Sequence, residues 1–320
     1  MMTFSFFKEF AQPRKLKQQG ILGMNQRNNM YISRYNPRKL FPLVDNKLKT
    51  KQIAEDANVS TPELLGVIDN QHSVKSVDKL IAGLNGFVIK PAKGSGGKGI
   101  LVITKVEGGR YYKPSGSECS IDDIERHCSN ILAGLFSLGG GIDVAVVEAL
   151  IVFDDSFEGY SFEGVPDVRV IVFKGIPMMA MMRLSTSMSD GKANLHQGAV
   201  GVGINITTGE ALNAVQYDEM VSHHPDTQKE LALLKVPHWE EVIRLAAQCY
   251  DISGLGYLGA DVVLDRDHGP MLLELNARPG LAIQIANGMG LLPRLQQIEA
   301  ANTESMNLDQ RLAYCKQHFG

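Results

Sequence analysis

The sequence predicts an α+β fold, and three observations carry that prediction. Short β-rich runs come in pairs separated by turn residues, the pattern of antiparallel hairpins. Segments with apolar residues at helical spacing are interleaved with those hairpins rather than alternating with single strands. Helices and sheets should therefore form layers, not a doubly wound parallel sheet. Finally, a glycine loop, Gly94-Ser95-Gly96-Gly97-Lys98-Gly99, has strand-like runs on both sides.

The elements follow in order. Residues 1–46 make a basic leading segment with few periodic signals. Asp45 to Ala57 reads as a helix, and Thr61-Pro62 turns the chain before the apolar Leu64-Leu65-Gly66-Val67. Val74 to Leu84 is read as a helix. Phe87-Val88-Ile89-Lys90 and Ile100-Leu101-Val102-Ile103 are strands flanking the glycine loop. Ile121 to Phe136 has apolar positions three and four apart and reads as a helix. Val144 to Val152 is strand-like, interrupted by Glu148. Asp167 to Phe173 and Met178 to Leu184 are strands joined through Lys174-Gly175-Ile176-Pro177. Trp239 to Tyr250 is an amphipathic helix that stops before Ser253-Gly254, and Ala260 to Leu264 pairs with Met271 to Leu275 across an Asp-His-Gly-Pro turn. Beyond Leu291 the chain is helical. Internal repeats and low-complexity segments are absent.

Composition bounds the function classes only loosely. A chain of 320 residues suits one large domain or two to three small ones. With 44% hydrophobic and 21% charged residues it has ample material for a packed core. No run reaches the length of a membrane-spanning helix, and the start lacks the basic-then-apolar order of a secretory signal. Cys119, Cys128, Cys249 and Cys315 have no ligand-like spacing, as expected of reduced thiols. These features lead to the expectation of a cytoplasmic protein. The net charge of −3 decides nothing, but its distribution is uneven: eleven Lys or Arg lie between Lys8 and Lys51, against only Glu9 and Asp45. Phe4, Phe6, Phe7 and Phe10 precede Arg14, Lys15 and Lys17. Two readings stay open for this arm: a contact with a membrane-associated partner or the inner membrane face, or a solvated arm laid over the body. Nucleic acid is not an expected partner, because no aromatic-basic interleaving continues beyond the arm.

The glycine loop matches a dinucleotide fingerprint in letters but not in context, since that motif needs a helix after it. Lys98 is followed by Gly99 rather than Ser or Thr, so the phosphate-loop motif fails too. Between two strands the loop suits a flap whose backbone N–H groups face phosphate oxygens, with charge from Lys90 and Lys98. An ordinary glycine-rich hairpin is the bland alternative. Glu274 and Asn276 share one strand face, and a turn over 265–270 would set Asp261 directly across from Glu274. Such a patch suits Mg2+, which relies on substrate phosphates for its remaining ligands. The alternative pairs Glu274 with Arg278 and leaves Asp261 capping a strand edge. Arg169 and Arg183 stand on two strands of one hairpin, and register decides whether they share a face. Asn194, His196 and Gln197 form a polar loop that could line the same cleft, with His196 weak evidence for a general base.

At this point the chain resembles the ATP-grasp superfamily, in its α-L-glutamate ligase-like branch related to ribosomal-protein glutamate ligases. The resemblance covers roughly residues 43–290. It rests on DNKLKTKQIAEDANVSTPEL, FVIKPAKGSGGKGILVI, VVEALI, DVRVIVFKGIPMMAMMRLS, ANLHQGAVGVGI and GYLGADVVLDRDHGPMLLELNARPGL. It implies ATP held under the flap between two α+β subdomains, with a basic N-terminal segment at 1–46, a small subdomain at 47–150, a large one at 151–300 and a helical tail at 301–320. Lys47 and Lys90 would contact the nucleotide together with Gly94, Ser95, Gly96, Gly97, Lys98 and Gly99. Glu148 and its neighbours would form the hinge that meets adenine and ribose. Asp261, Glu274 and Asn276 match the family's Mg2+ ligands, with Mn2+ as a substitute. Arg169 and Arg183 would meet the acyl phosphate or γ-phosphate, and Arg278 a substrate carboxylate. The implied activity is ATP-dependent, ADP-forming ligation of a carboxylate to an amine, with glutamate, another amino acid, a peptide or a protein terminus as substrate. A kinase on the same fold and a catalytically silent Mg-ATP sensor or scaffold are the alternatives, and an oligomer is compatible with all three. Two departures limit the match: residues 20–47 replace a fuller N-terminal domain, and Glu148 lies between Val147 and Ala149, without the polar neighbours usual at this hinge.

Overall fold

The computed structural model describes residues 17–94 and 96–320. Ser95 and the aromatic-basic arm up to Leu16 lie outside the described residues, and with them most of the expected membrane or partner contact.

The smaller sheet contains β1 (Leu64–Ile68), β2 (Phe87–Pro91) and β3 (Leu101–Ile103). A three-stranded ribbon follows, β4 (Lys105–Glu107), β5 (Arg110–Tyr112) and β6 (Glu118–Cys119). Strand β7 (Ala145–Ala149) then returns to the first sheet, giving the order β1-β7-β2-β3 with every pair antiparallel. Phe87, Ile89 and Val147 point to one face, where they pack with Ile124 and Ile131 of helix Ile121–Leu132 into a separate core. That leaves Val88, Lys90, Val146 and Glu148 on the other face, as the two-residue period requires.

The larger sheet holds β8 (Asp167–Phe173), β9 (Ile176–Leu184), β10 (Val200–Ile204), β11 (Ala211–Gln216), β12 (Glu219–Met220), β13 (Tyr257–Asp265) and β14 (Gly269–Asn276). Its order is β12-β11-β10-β9-β8-β13-β14. Helix Trp239–Ser253 packs on this sheet, and helix Leu308–Phe319 contributes Cys315 and Phe319 to the same core. The larger core also takes in Leu22, Tyr31, Ala54 and Val59. By packing, the helix Lys47–Asp56 therefore belongs with the larger body, although it stands earlier in the chain than the small sheet.

Several boundaries differ from the sequence reading. The expected helix Val74 to Leu84 is two short ones, Gln71–Val74 and Val77–Leu80, separated by Lys75 and Ser76. The helix expected to reach Phe136 ends at Leu132, because Gly134 adopts φ +79°. The β8–β9 turn is only Lys174-Gly175, with φ +49° and +78°, so Ile176 and Pro177 are in the strand. Residues 24–35 form one continuous helix whose middle, Arg27–Ile32, is π-helical. Among the described residues no helix is long and apolar enough to cross a membrane.

Between the two sheets the chain passes through a clamp. The N–H of Val152 donates to Asp265 Oδ2 at 3.0 Å, the Arg266 N–H donates to the Val152 carbonyl at 2.7 Å, and Phe153 bridges to Asp265. The linker is thus paired to the β13–β14 turn before the large sheet begins.

Candidate functional site

The register of the large sheet assembles one charged face. Asp261 stands across from Glu274 on one side and Arg169 on the other, as the expected hairpin register required. Asp167 opposes Arg183, and Gly259 opposes Asn276. Since alternate residues share a face, Asp167, Arg169, Arg183, Asp261, Glu274 and Asn276 all project the same way. The register question for Arg169 and Arg183 is thereby resolved: they do share a face.

The contacts within this face are charge-assisted and partly buried, with Asp167 and Asp261 the buried members. Arg169 donates from Nε and Nη2 to the two oxygens of Asp261 at 2.7 and 2.5 Å. Arg183 donates to both oxygens of Asp167 at 2.6 and 2.8 Å, and its Nη2 also reaches Asp261 Oδ2 at 2.7 Å. Asn276 Nδ2 donates to Asp261 Oδ2 at 3.2 Å. Burial alone would raise the Asp261 carboxyl, but Arg169 and Arg183 outweigh it and hold the group below the usual carboxylate range. Burial pushes Asp167 up instead; Arg183 only partly offsets this, and the neighbouring Asp261 adds to it. Burial would lower the Arg183 guanidinium, yet Asp167 and Asp261 raise it. Asp167 was missed as a site residue, although its spacing from Arg169 repeats the two-residue interval between Glu274 and Asn276.

A second constellation lies on the face of the small sheet opposite its core, where Lys90 and Glu148 are buried. Lys90 Nζ is 2.5 Å from Glu148 Oε2, and Lys51 Nζ is 3.1 Å from Glu148 Oε1. Lys51 also donates to Thr61 Oγ1 at 3.2 Å and to the Pro62 carbonyl. Burial drives the Lys90 ammonium pKa down, against the pull of Glu148. The Glu148 carboxylate is committed to these two lysines, and its own exposure is 3%. Lys51 escaped the sequence reading, yet it stands four residues after Lys47 in the same helix and so on the same side. Lys47, Lys51, Lys90, Glu148, Leu272 and Leu273 line one small cleft between the bodies.

Lys47 joins everything. Its Nζ donates to the Gly94 carbonyl at 2.7 Å and lies 3.3 Å from Glu274 Oε2, so Glu274 pairs with Lys47 rather than Arg278. Arg278 is exposed and its guanidinium stacks on Phe41 at 4.8 Å. The flap begins at Gly94, which bridges to Ser137, and ends at Gly99, whose carbonyl meets His127 Nε2 at 2.9 Å. Gly99 has φ +76°, and a Cβ there would lie 2.4 Å from the Phe136 ring, so only glycine fits. At the tip, Gly96 and Gly97 lie against Asn194 and Lys192, which brings the polar loop up to the flap. Lys98 and His196 are exposed. The flap base is anchored by Asp143, 1% exposed, which accepts from the Lys93 and Val144 N–H groups and from Ser137 Oγ. No sequence signal marked Asp143, since a lone Asp before a strand reads as a turn residue.

The donors fit a hard divalent cation in kind. Glu274 and Asn276 offer a carboxylate and an amide oxygen from one strand face, beside Asp261. Among the described residues no three His, Cys, Asp or Glu side chains converge as a metal cluster. The set here is two carboxylates and an amide. Both oxygens of Asp261 already accept from guanidinium groups, so Asp261 would exchange one of those bonds on joining such a set.

A model of the sugar-transfer-associated ATP-grasp family matches residues 26–300, and the chain belongs to that family. A probable alpha-L-glutamate ligase of Maridesulfovibrio salexigens is 22% identical over 236 residues, 74% of this chain and 56% of that protein. The chain thus spans a little over half the length of that curated relative. Among solved structures, the ATP-grasp ligase PsnB complexed with minimal precursor is 16% identical with a TM-score of 0.46, covering 83% of this chain and 62% of PsnB. A D-alanine–D-alanine ligase from Bacillus anthracis is 14% identical with a TM-score of 0.40, covering 86% and 67% respectively.

Proposed function

We propose that this ATP-grasp protein is an ADP-forming carboxylate–amine ligase. One observation carries the reading: a partly buried face of two arginines, three acids and an amide lies beside a cleft of three lysines, with a glycine flap joined to both through Lys47. That arrangement suits a reaction that moves a phosphoryl group and must stabilise developing negative charge.

In the reaction so proposed, an oxygen of the substrate carboxylate attacks the γ-phosphorus of ATP. The bond to the bridging oxygen breaks, ADP departs with that electron pair, and an acyl phosphate forms. An amine then attacks the acyl carbon, inorganic phosphate leaves, and the nitrogen loses a proton. Lys90, Lys51 and Lys47 hold nucleotide phosphates, while Arg169 and Arg183 neutralise charge on the transferring group. Closing the flap keeps water from the acyl phosphate. Glu274 and Asn276, joined by Asp261, would hold Mg2+ or Mn2+, which when bound neutralises phosphate charge.

A nucleotide sensor is the second reading, favoured by the saturation of Asp261 with guanidinium donors. The deciding experiment measures ADP release with Mg-ATP against pools of amino acids and short peptides, with mass spectrometry of products. A product lighter by one water than its two substrates establishes the ligase. A phosphorylated product makes the protein a kinase, and ATP binding without turnover in any pool leaves the sensor.

A further inference from the structure

A cavity of about 210 Å³ opens beside the β8–β9 turn. Tyr35 and Tyr250 give it aromatic walls, Lys174 and Glu304 line it with opposite charges, and Thr303 adds a hydroxyl. Two glycines just past the helix Trp239–Ser253 bring no side chains into the space. Lys174 follows β8 directly and stands five positions after Arg169, about 17 Å on at the rise of a strand. The cavity and the charged face therefore lie at opposite ends of β8.

The walls are held in place while the polar groups on them are not committed. The Tyr35 hydroxyl donates to Glu299 Oε1 at 2.5 Å, and its ring meets Phe173 edge-on with centroids 4.9 Å apart. Tyr250 carries the Arg311 guanidinium over its ring at 5.3 Å. Such a wall is formed before any ligand arrives. Among the described residues, however, the Lys174 ammonium and the Glu304 carboxylate pair neither with each other nor with another charged side chain. Lys174 Nζ rests instead over the Tyr35 ring, 5.6 Å from its centroid. Thr303 is 3% exposed, and its hydroxyl has no hydrogen-bond partner. Lys174 also has a left-handed backbone, φ +49°, as the first residue of the two-residue turn. Asn, Asp or Gly ordinarily fill that position, because a longer side chain is strained there. A lysine kept at such a point, with its ammonium beside a cavity, implies a use for the charge.

We propose that this cavity binds a small zwitterion, a free α-amino acid with an apolar side chain. Its carboxylate meets Lys174, its ammonium meets Glu304, and its side chain lies against Tyr35 and Tyr250. Opposite charges that line one cavity without pairing fit a ligand carrying both signs, whereas a simple anion or cation would leave one of them unanswered. A volume below the roughly 300 Å³ at which pockets for drug-sized molecules begin selects a small ligand. The site is separate from the proposed ligation and stands whether or not the chain is a ligase.

The test is calorimetric titration of the full chain, without nucleotide, with three probes. These are leucine, 4-methylpentanoate, which lacks the ammonium, and isopentylamine, which lacks the carboxylate. Leucine should bind about tenfold more tightly than either analogue. K174N, which the left-handed turn accommodates, should bring leucine down to the level of isopentylamine. E304Q should bring it down to the level of 4-methylpentanoate. Equal binding of the three probes by wild type, no leucine binding at millimolar concentration, or wild-type leucine affinity in either variant overturns the site. Displacement of leucine by trimethylglycine at lower concentration overturns the amino-acid assignment in favour of a quaternary-ammonium zwitterion.

Discussion

The two sheets carry opposite charge balances toward the same cleft. Over the small sheet, its own Lys90, with Lys47 and Lys51 from the helix that packs with the larger body, lines a cleft around a single acid, Glu148. On the large sheet, Asp167, Asp261 and Glu274 outnumber Arg169 and Arg183. A cation-rich wall suits phosphate oxygens, and an acid-rich wall suits a divalent cation that phosphate also binds. The Lys47–Glu274 ion pair balances the extra acid of the large sheet, and one positive charge is left over where Lys51 and Lys90 share Glu148. Lys47, bonded to the flap and to Glu274, links the two walls.

The sharpest way to break the comparison is to remove the lone acid. Glu148→Gln leaves Lys51 and Lys90 buried without a counter-charge, and should cost about 3–5 kcal/mol of stability, read by chemical denaturation. Asp261→Asn on the acid-rich side leaves Arg183 paired with Asp167 but takes from Arg169 its one carboxylate partner; because the Arg169 side chain is more exposed than those of Lys51 and Lys90 (14% against 4% and 6%), the fold should suffer less. Nucleotide turnover should nevertheless fall about 10²–10³-fold, measured as ADP release. Equal destabilisation by the two substitutions would remove the asymmetry. Gly99→Ala tests the flap, which should lose about 1–3 kcal/mol through backbone strain and the clash with Phe136; local hydrogen exchange at residues 94–103 reads it. Lys90→Met should weaken ATP binding about tenfold in calorimetry, or about 1.4 kcal/mol.

The smallest effect is a pH dependence confined to the small sheet. Burial lowers the His127 pKa below its ordinary value, partly opposed by the Gly99 carbonyl. The unfolded imidazole therefore takes a proton before the folded one does. Stability should fall as pH drops through the interval from the ordinary value of about 6.5 to the depressed folded one. His127→Gln should flatten that slope in thermal unfolding between pH 5 and 7.5, and an unchanged slope would assign it to another group.

Much of this was legible in the residues. The Asp261–Glu274 pairing followed from strand periodicity and a short turn, both local properties, and the strands around the glycine loop gave its flap character. What escaped depends on tertiary context. Lys51 and Asp143 are single charged residues whose importance comes from what closes over them. The helix at 24–35 was invisible because one position on its buried side is Arg27 rather than an apolar residue, while the apolar Met24 and Met30 are exposed, so the apolar residues alone draw no stripe. The Val74 to Leu84 segment failed for the opposite reason: apolar spacing was adequate, but the helix breaks at Lys75 and Ser76.

The fastening of the leading segment has a consequence for the order of events during synthesis. Leu22 is held by Gln284, Arg27 by Pro279 and Asn36 by Tyr257, across separations of 262, 252 and 221 residues. The small core and the side chains packed against it come from residues 65–147. At a ribosomal pace of about 5–20 residues per second, the helix at 24–35 waits for its partners long after the small core has all its residues. During that interval Tyr31, Ile32 and Ala54 have no large core to enter. The nascent chain thus carries a complete small core together with a leading segment whose apolar side chains are still unburied.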